Sequence, residues 1–126
     1  MIILDTDVLI EILDKKSRKG DEALSQIIQS GEDISTTAIN MHEILYGLQK
    51  YAKTTEEILQ LPVQNYTKMD SVLSSKIELQ AESRGMPLRR TDAMIAAITI
   101  NNGAKLFTLD LKHFTPLTSL GLKLFP

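Results

Sequence analysis

The chain has 126 residues, of which 43% are hydrophobic and 24% are charged, as is typical of a folded domain rather than a disordered or fibrous protein. It has no cysteine and only 2 histidines, which excludes disulfide bonds, thiol catalysis and zinc sites built from cysteine or clustered histidine. A net charge of −2 argues against nucleic-acid binding through bulk positive potential. We predict a single domain over residues 1–126.

Neither membrane insertion nor export is indicated by the sequence. The most apolar uncharged run, from Ala93 to Ile100, is less than half of the roughly 20 residues that a membrane-spanning helix needs. The start of the chain has no basic segment and reaches Asp5 too early for a secretory signal. We therefore expect a cytoplasmic protein without a membrane partner.

Short apolar runs alternate with amphipathic segments in the first half of the chain. Ile2–Leu4 predicts a buried strand that turns directly into a helix. A second helix is predicted to end at Gly31, and a strand near Asp33–Ser35 to follow it. Either Thr36 or Thr37 can cap the next helix. That helix carries an apolar stripe formed by Met41, Ile44, Leu45 and Leu48.

The alternation continues beyond this helix. Thr54 and Glu57 have capping-box spacing for a short helix, and Pro62–Gln64 predicts a third strand. Thr67–Asp70 predicts the start of a long helix that ends near Gly85. We expect the inward face of this helix to comprise Met69, Val72, Leu73, Ile77 and Ala81.

The last third of the chain completes the predicted sheet. Asp92 opens a helix that is apolar almost all round from Ala93 to Ile100, which predicts a buried central helix. Lys105–Thr108 and Leu122–Phe125 predict a fourth and a fifth strand. Helices that alternate with short strands, without hairpins, predict an α/β fold with a mostly parallel central sheet of about five strands flanked by helices.

Four carboxylates stand at positions that packing alone would not select. Asp5 and Asp110 follow predicted strands and Asp92 begins the central helix, so a parallel topology places all three at one edge of the sheet. Glu43 lies off the apolar stripe of its helix, on a face that it shares with Asn40. Each acid alone is equally well explained as a cap, a turn residue or a solvated residue, so their joint placement carries the hypothesis.

A cluster of these acids requires a cation, because carboxylates about 4 Å apart repel by roughly 4 kcal/mol at an effective dielectric near 20. Oxygen ligands without cysteine or paired histidine favour Mg²⁺ or Mn²⁺ over zinc or copper. Such ions usually act on phosphates and can activate water for phosphodiester cleavage. The predicted catalytic and metal-binding residues are Asp5, Glu43, Asp92 and Asp110.

Four basic residues adjoin these acids in the sequence. Arg89 and Arg90 immediately precede the central helix, and we expect them either to bind substrate phosphates or to pair with the acids. His42 is next to Glu43, but it points about 100° away on a helix, which favours a hydrogen-bonded or surface role over a catalytic one. His113 follows a turn, and we give it the same interpretation.

Four segments, taken in order along the chain, resemble the PIN-domain nucleases. They are Asp5-Thr6-Asp7-Val8-Leu9, Glu43-x-x-x-Gly47, Pro87-x-x-x-x-Asp92-Ala93-x-Ile95-Ala96-Ala97 and Thr108-x-Asp110-x-x-x-Phe114. At this length the chain resembles the VapC-type toxins of type II toxin–antitoxin pairs. The resemblance implies a Rossmann-like PIN domain, Mg²⁺- or Mn²⁺-dependent endoribonuclease activity on an RNA substrate, a homodimer, and an antitoxin that blocks the site.

The resemblance also assigns residues by position. It implies a catalytic acidic quartet of Asp5, Glu43, Asp92 and Asp110. Thr6 and Thr108 become supporting hydroxyls. Two departures from the family pattern stand out: Asp7 stands where the family commonly has Asn or Ser and adds a fifth acid, and Thr108-Leu109-Asp110 lacks the asparagine often found beside the last acid.

Two other functions stay open at this point. Asp5-x-Asp7 after a first strand is also the nucleophile and acid pair of haloacid-dehalogenase-type phosphatases, although the chain is short for that class and has Leu9 where Thr or Val is expected. The other alternative is a non-catalytic PIN-like module that binds RNA or protein. The intact acids count against that module.

Overall fold

A computed structural model describes all 126 residues. Five short strands form the sheet: β1 (Ile2–Leu4), β2 (Ile34–Thr37), β3 (Val63–Gln64), β4 (Lys105–Phe107) and β5 (Leu124–Phe125). Seven α-helices flank it: α1 (Thr6–Leu9), α2 (Arg18–Ser30), α3 (Ala38–Lys50), α4 (Glu56–Leu59), α5 (Lys68–Ser83), α6 (Arg90–Asn101) and α7 (Leu111–Phe114). A π-helical turn extends α1 over Ile10–Asp14, and a 3₁₀ turn over Thr115–Leu120 follows α7.

All neighbouring strands pair in parallel, in the order β3-β2-β1-β4-β5. The predicted α/β class with a parallel five-stranded sheet is confirmed. Strand β1 is central, with Ile2 opposite both Ile34 of β2 and Lys105 of β4. The chain therefore leaves β1 at the middle of the carboxyl edge, where ligand sites of such sheets lie.

The core has two halves because the side chains of β1 alternate between the two faces of the sheet. Ile3 packs with α5 and α6 on one face, whereas Ile2 and Leu4 pack with the first three helices on the other. Ala93–Ile98 of α6 includes five apolar residues that are fully buried or nearly so, which confirms the predicted central helix. None of the helices combines the length and the apolar composition that spanning a bilayer requires.

The start of α6 differs from the prediction that Asp92 opens it. The helix begins at Arg90, and Arg89 is its N-cap residue. Asp92 is the third residue of the helix, and its carboxylate accepts a hydrogen bond from the backbone N–H of Arg89. An acid at this position completes half of a capping box, so the prediction was wrong by two residues, although Asp92 remains in the first turn.

Two further local predictions were wrong. The capping box of Thr54 and Glu57 does not form, because Thr55 is the N-cap residue of the four-residue helix α4 and its side chain makes no capping bond. In α5, Met69 and Val72 are mostly exposed. Helix α5 buries a narrower face than its apolar spacing suggested, because it packs against α6 on one side only.

Candidate active site

Asp5 lies directly after β1 and is held by three hydrogen bonds. Its Oδ1 accepts from the backbone N–H of Thr6 and from Nδ2 of Asn40, both at 2.8 Å. Its Oδ2 accepts from Oγ1 of Thr108 at 2.7 Å. The residue is only 7% exposed, so the carboxylate has one fixed orientation at the carboxyl edge of the sheet.

The ionisation of Asp5 is held back by its surroundings. Burial and, to a smaller extent, the negative charges of Asp7 and Glu43 raise the pKa of Asp5 from 3.8 to about 6. The hydrogen bonds from Thr108 and Thr6 favour the charged form but do not compensate. The Asp5 carboxylate therefore lies in a negative potential that a bound cation would relieve.

Asn40 connects α3 to this carboxylate. It is fully buried, and its Nδ2 donates to Asp5 and, at 2.9 Å, to Oγ1 of Thr6. Thr6 in turn donates to Oε1 of Glu43 at 2.9 Å, while Oδ1 of Asn40 accepts from Oγ1 of Thr37 at 2.7 Å. The sequence analysis assigned no role to Asn40. Its three-residue spacing from Glu43, which places both side chains on one face of α3, was the signal that could have indicated one.

Replacing Asn40 with alanine is expected to destabilise the protein by about 1–3 kcal/mol, because buried hydrogen-bonding groups on three neighbours lose their partner. Urea denaturation of the variant and the wild type measures this difference. The matched control is Asn102→Ala at the exposed end of α6, where one amide-to-backbone bond is lost. Equal destabilisation by the two substitutions would contradict the connecting role of Asn40.

Asp92 is 1% exposed, and all the hydrogen-bond partners of its carboxylate belong to Arg89. The backbone N–H and Nε of Arg89 contact Oδ2 at 3.2 and 3.4 Å, and Nη2 contacts Oδ1 at 3.2 Å. This pairing raises the pKa of Arg89, and the charges of Glu43 and Asp110 raise it further. Arg89 therefore lies in the field of three of the acids.

Arg90 lies outside the acidic cluster. Its guanidinium forks onto Glu78 of α5, with Nε 3.0 Å from Oε1 and Nη2 3.1 Å from Oε2. The two arginines are adjacent in sequence, but only Arg89 contacts one of the four predicted catalytic acids.

Asp110 caps α7 and is engaged by His113. The backbone N–H of His113 donates to Oδ1 at 3.3 Å, and its ring Nδ1 lies 2.8 and 2.9 Å from the two carboxylate oxygens. The backbone N–H of Asp110 donates to Oγ1 of Thr108 at 3.0 Å, the same hydroxyl that binds Asp5. The prediction of a hydrogen-bonded role for His113 agrees with this contact, but its partner was not foreseen.

Asp7 faces the same region from α1. Its Oδ2 accepts from the backbone N–H of Leu109 at 3.1 Å, and its Oδ1 is buried without any partner. Burial raises the pKa of Asp7, and the charge of Asp110 adds to this effect. An unpartnered buried carboxylate oxygen is rare in proteins and indicates a place where a ligand atom or water is needed.

The donor set matches the chemistry of a hard divalent cation, since it consists of carboxylate oxygens in a negative potential and one unpartnered oxygen. No three acidic or histidine side chains converge closely enough to hold an ion in their present positions. Arg89 and His113 engage the oxygens of two of the acids. Mg²⁺ usually keeps several water ligands, so a small number of direct carboxylate ligands is sufficient.

Fold and site together define a class of protein: a parallel α/β domain with acidic side chains at the carboxyl edge of its sheet. The PIN domain family model matches residues 2–115. The chain therefore belongs to the PIN-domain family, and the resemblance drawn from its motifs is confirmed.

Solved structures share this fold over nearly the whole chain. VapBC2 from Rickettsia felis, solved with a promoter DNA fragment, is 20% identical with a TM-score of 0.80 and covers 100% of both chains. DNA-bound VapBC from Salmonella typhimurium is 21% identical with a TM-score of 0.80, covering 98% of this chain and 96% of that one. A toxin-antitoxin complex from Klebsiella pneumoniae is 21% identical with a TM-score of 0.74, covering 90% of each. A comparison with curated proteins finds no significant match.

Proposed function

We propose that this protein is a Mg²⁺- or Mn²⁺-dependent endoribonuclease and the toxin of a type II toxin–antitoxin pair. The observation that carries the proposal is the set of hydrogen bonds that link acids from separate elements: Thr6 binds both Asp5 and Glu43, and Thr108 binds both the Asp5 carboxylate and the backbone N–H of Asp110. The charges of Asp7 and Glu43 act on Asp5, and those of Glu43, Asp92 and Asp110 act on Arg89. Membership of the PIN-domain family supports a nuclease.

The residues of the site have distinct tasks in this proposal. Asp5, fixed by Thr6, Asn40 and Thr108, is a rigid metal ligand, and Glu43 is oriented through Thr6. The remaining metal ligands are Asp92 and Asp110. When bound there, a divalent ion would supply an activated water and would offset charge on the leaving oxygen of the phosphodiester.

Substrate binding is proposed for Arg89 and Arg90. The side chain of Arg89 is 66% exposed beside the acids, which suits contact with a phosphate next to the scissile bond. Arg90 is also exposed, but it is paired with Glu78. It would have to leave Glu78 in order to contact a phosphate.

A cognate antitoxin and a second copy of the chain are the proposed protein partners. The similar structures from Rickettsia felis and Salmonella typhimurium are VapBC assemblies, and the one from Klebsiella pneumoniae is a toxin-antitoxin complex. These likenesses support an antitoxin, which would silence the site by placing an arginine or lysine among the acids, since bidentate arginine suits carboxylates. The homodimer follows from the family resemblance.

The haloacid-dehalogenase-type phosphatase is not favoured by the geometry. Asp7 points its Oδ2 at the backbone of Leu109 instead of toward a leaving group. The PIN-domain match accords with this reasoning.

Metal dependence tests the proposed function. The purified protein is expected to cleave RNA in the presence of Mg²⁺ or Mn²⁺, because the acids alone cannot activate water. Cleavage is expected to disappear in EDTA and to return when excess Mn²⁺ is added. RNA and DNA oligonucleotides of the same sequence provide the substrate comparison. Asp5→Asn protein purified in parallel controls for contaminating ribonucleases, and full cleavage in EDTA would contradict the proposal.

A further inference from the structure

Arg89 supplies the only positive charge that contacts Asp92. The Asp92 carboxylate is 1% exposed, and its contacts are limited to one backbone N–H and two guanidinium nitrogens of Arg89. A buried carboxylate without a compensating charge is costly. Arg89 therefore does for Asp92 what a bound cation would do.

The guanidinium also responds to the rest of the acidic cluster. The charges of Glu43 and Asp110 act on it in addition to that of Asp92. The other ion pairs of lysine and arginine side chains are with acids outside this cluster, as Arg90 is with Glu78. A divalent ion bound among the acids and the guanidinium of Arg89 both carry positive charge, so they would compete for the same carboxylate oxygens.

Arg89 is the partner that is free to leave. Asp92 is fixed in the first turn of the buried helix α6, whereas the Arg89 side chain is 66% exposed. An ion pair that is exposed on the arginine side is weakened by water and salt. Rotation of this long side chain into solvent requires no movement of the backbone.

We propose that Arg89 is a built-in counter-cation that neutralises Asp92 in the metal-free protein, competes with the divalent ion for that carboxylate, and turns to an RNA phosphate when the ion binds. This inference rests on the proposed metal-dependent function and adds a regulation to it. Arg89 then links metal loading to substrate binding. Free protein at low metal concentration stays in the arginine-paired state.

Mn²⁺ binding without RNA tests this competition. Isothermal titration of Arg89→Gln is expected to show about tenfold or greater tightening of the Mn²⁺ dissociation constant, because a like charge is removed from the site. Arg90→Gln, which removes the same charge one residue away, is expected to change it less than about threefold because salt screens exposed charges. Unchanged or weaker Mn²⁺ binding by folded Arg89→Gln would overturn the proposal.

The wild-type protein provides a second measurement that does not depend on folding of a variant. During a Mg²⁺ titration followed by NMR, the Nε–H signal of Arg89 is expected to shift and to exchange faster with water, while that of Arg90 stays unchanged. Saturation with Mg²⁺ that leaves Arg89 unaffected would overturn the proposal.

The two proposals fail in different ways. Tighter Mn²⁺ binding by Arg89→Gln in a protein that does not cut RNA would reject the endoribonuclease and keep the counter-cation. Metal-dependent RNA cleavage by the wild type, with equal Mn²⁺ binding by Arg89→Gln, would keep the endoribonuclease and reject the counter-cation. If neither the wild type nor Arg89→Gln binds Mn²⁺, both are rejected.

Discussion

Replacing Asp5 with asparagine is expected to lower RNA cleavage at saturating Mg²⁺ by at least about 100-fold, the upper end of the loss seen when only an outer-shell partner of a metal ligand is removed. The amide keeps the shape of the side chain, and its oxygen can still accept from Thr6 and Asn40. Only the charge and one acceptor are lost. Single-turnover cleavage of an RNA oligonucleotide measures the change.

His42→Ala is the matched control for this loss. His42 neighbours Glu43 but is exposed on α3 and makes no side-chain hydrogen bond in the structure, so cleavage is expected to change less than about threefold, as for surface substitutions away from a site. Near-wild-type cleavage by Asp5→Asn together with loss of cleavage in His42→Ala would show that the acidic residues are wrongly assigned.

The same substitution separates the toxin from the nuclease in cells. Expression of the wild-type chain without an antitoxin is expected to arrest growth, and Asp5→Asn is expected to abolish the arrest. Harmless expression of an enzyme that is active in vitro, at levels confirmed by blotting, would reject the toxin and leave the nuclease standing.

The fold was predictable because its strongest signals are local. Ile2–Leu4 is a short apolar run followed by an acid, and Ala93–Ile98 is apolar around the helix. The burial of each segment can therefore be predicted from its own residues. A parallel sheet then brings residues that follow different strands to one edge. Asp5 and Asp110 are both at that edge, where each binds the hydroxyl of Thr108.

The hydrogen-bond partners of the acids were not predictable, because they depend on distances between elements. The sequence allowed Arg89 to bind either phosphate or acid, and the contact with Asp92 depends on where α6 begins. The sequence did not indicate a partner for His113, although this residue lies three positions after Asp110, the N-cap residue of its short helix. The role of Asn40 arises only when α3 packs against the end of β1.

The stability of the metal-free protein is expected to rise at neutral pH when Asp5 becomes asparagine. The folded protein raises the pKa of Asp5 from 3.8 to about 6, so the folded state binds this proton more tightly than the unfolded state does. Ionisation of Asp5 therefore lowers the free energy of unfolding. This free energy falls as pH rises from about 4 to 6 and stays lower above that range. The difference between 3.8 and about 6 corresponds to about 3 kcal/mol.

Urea denaturation in EDTA measures this effect: Asp5→Asn is expected to be more stable than the wild type by up to about 3 kcal/mol at pH 7.5 and to show no such gain at pH 4. Asp33→Asn, a change at an exposed acid before β2, is the control and should shift stability by less than about 0.5 kcal/mol. Lower stability of Asp5→Asn at pH 7.5 would contradict the charge repulsion at the site. Added Mn²⁺ should reverse the order, because it stabilises only a folded protein that binds it, and the charge that destabilises the empty site is the one that holds the ion.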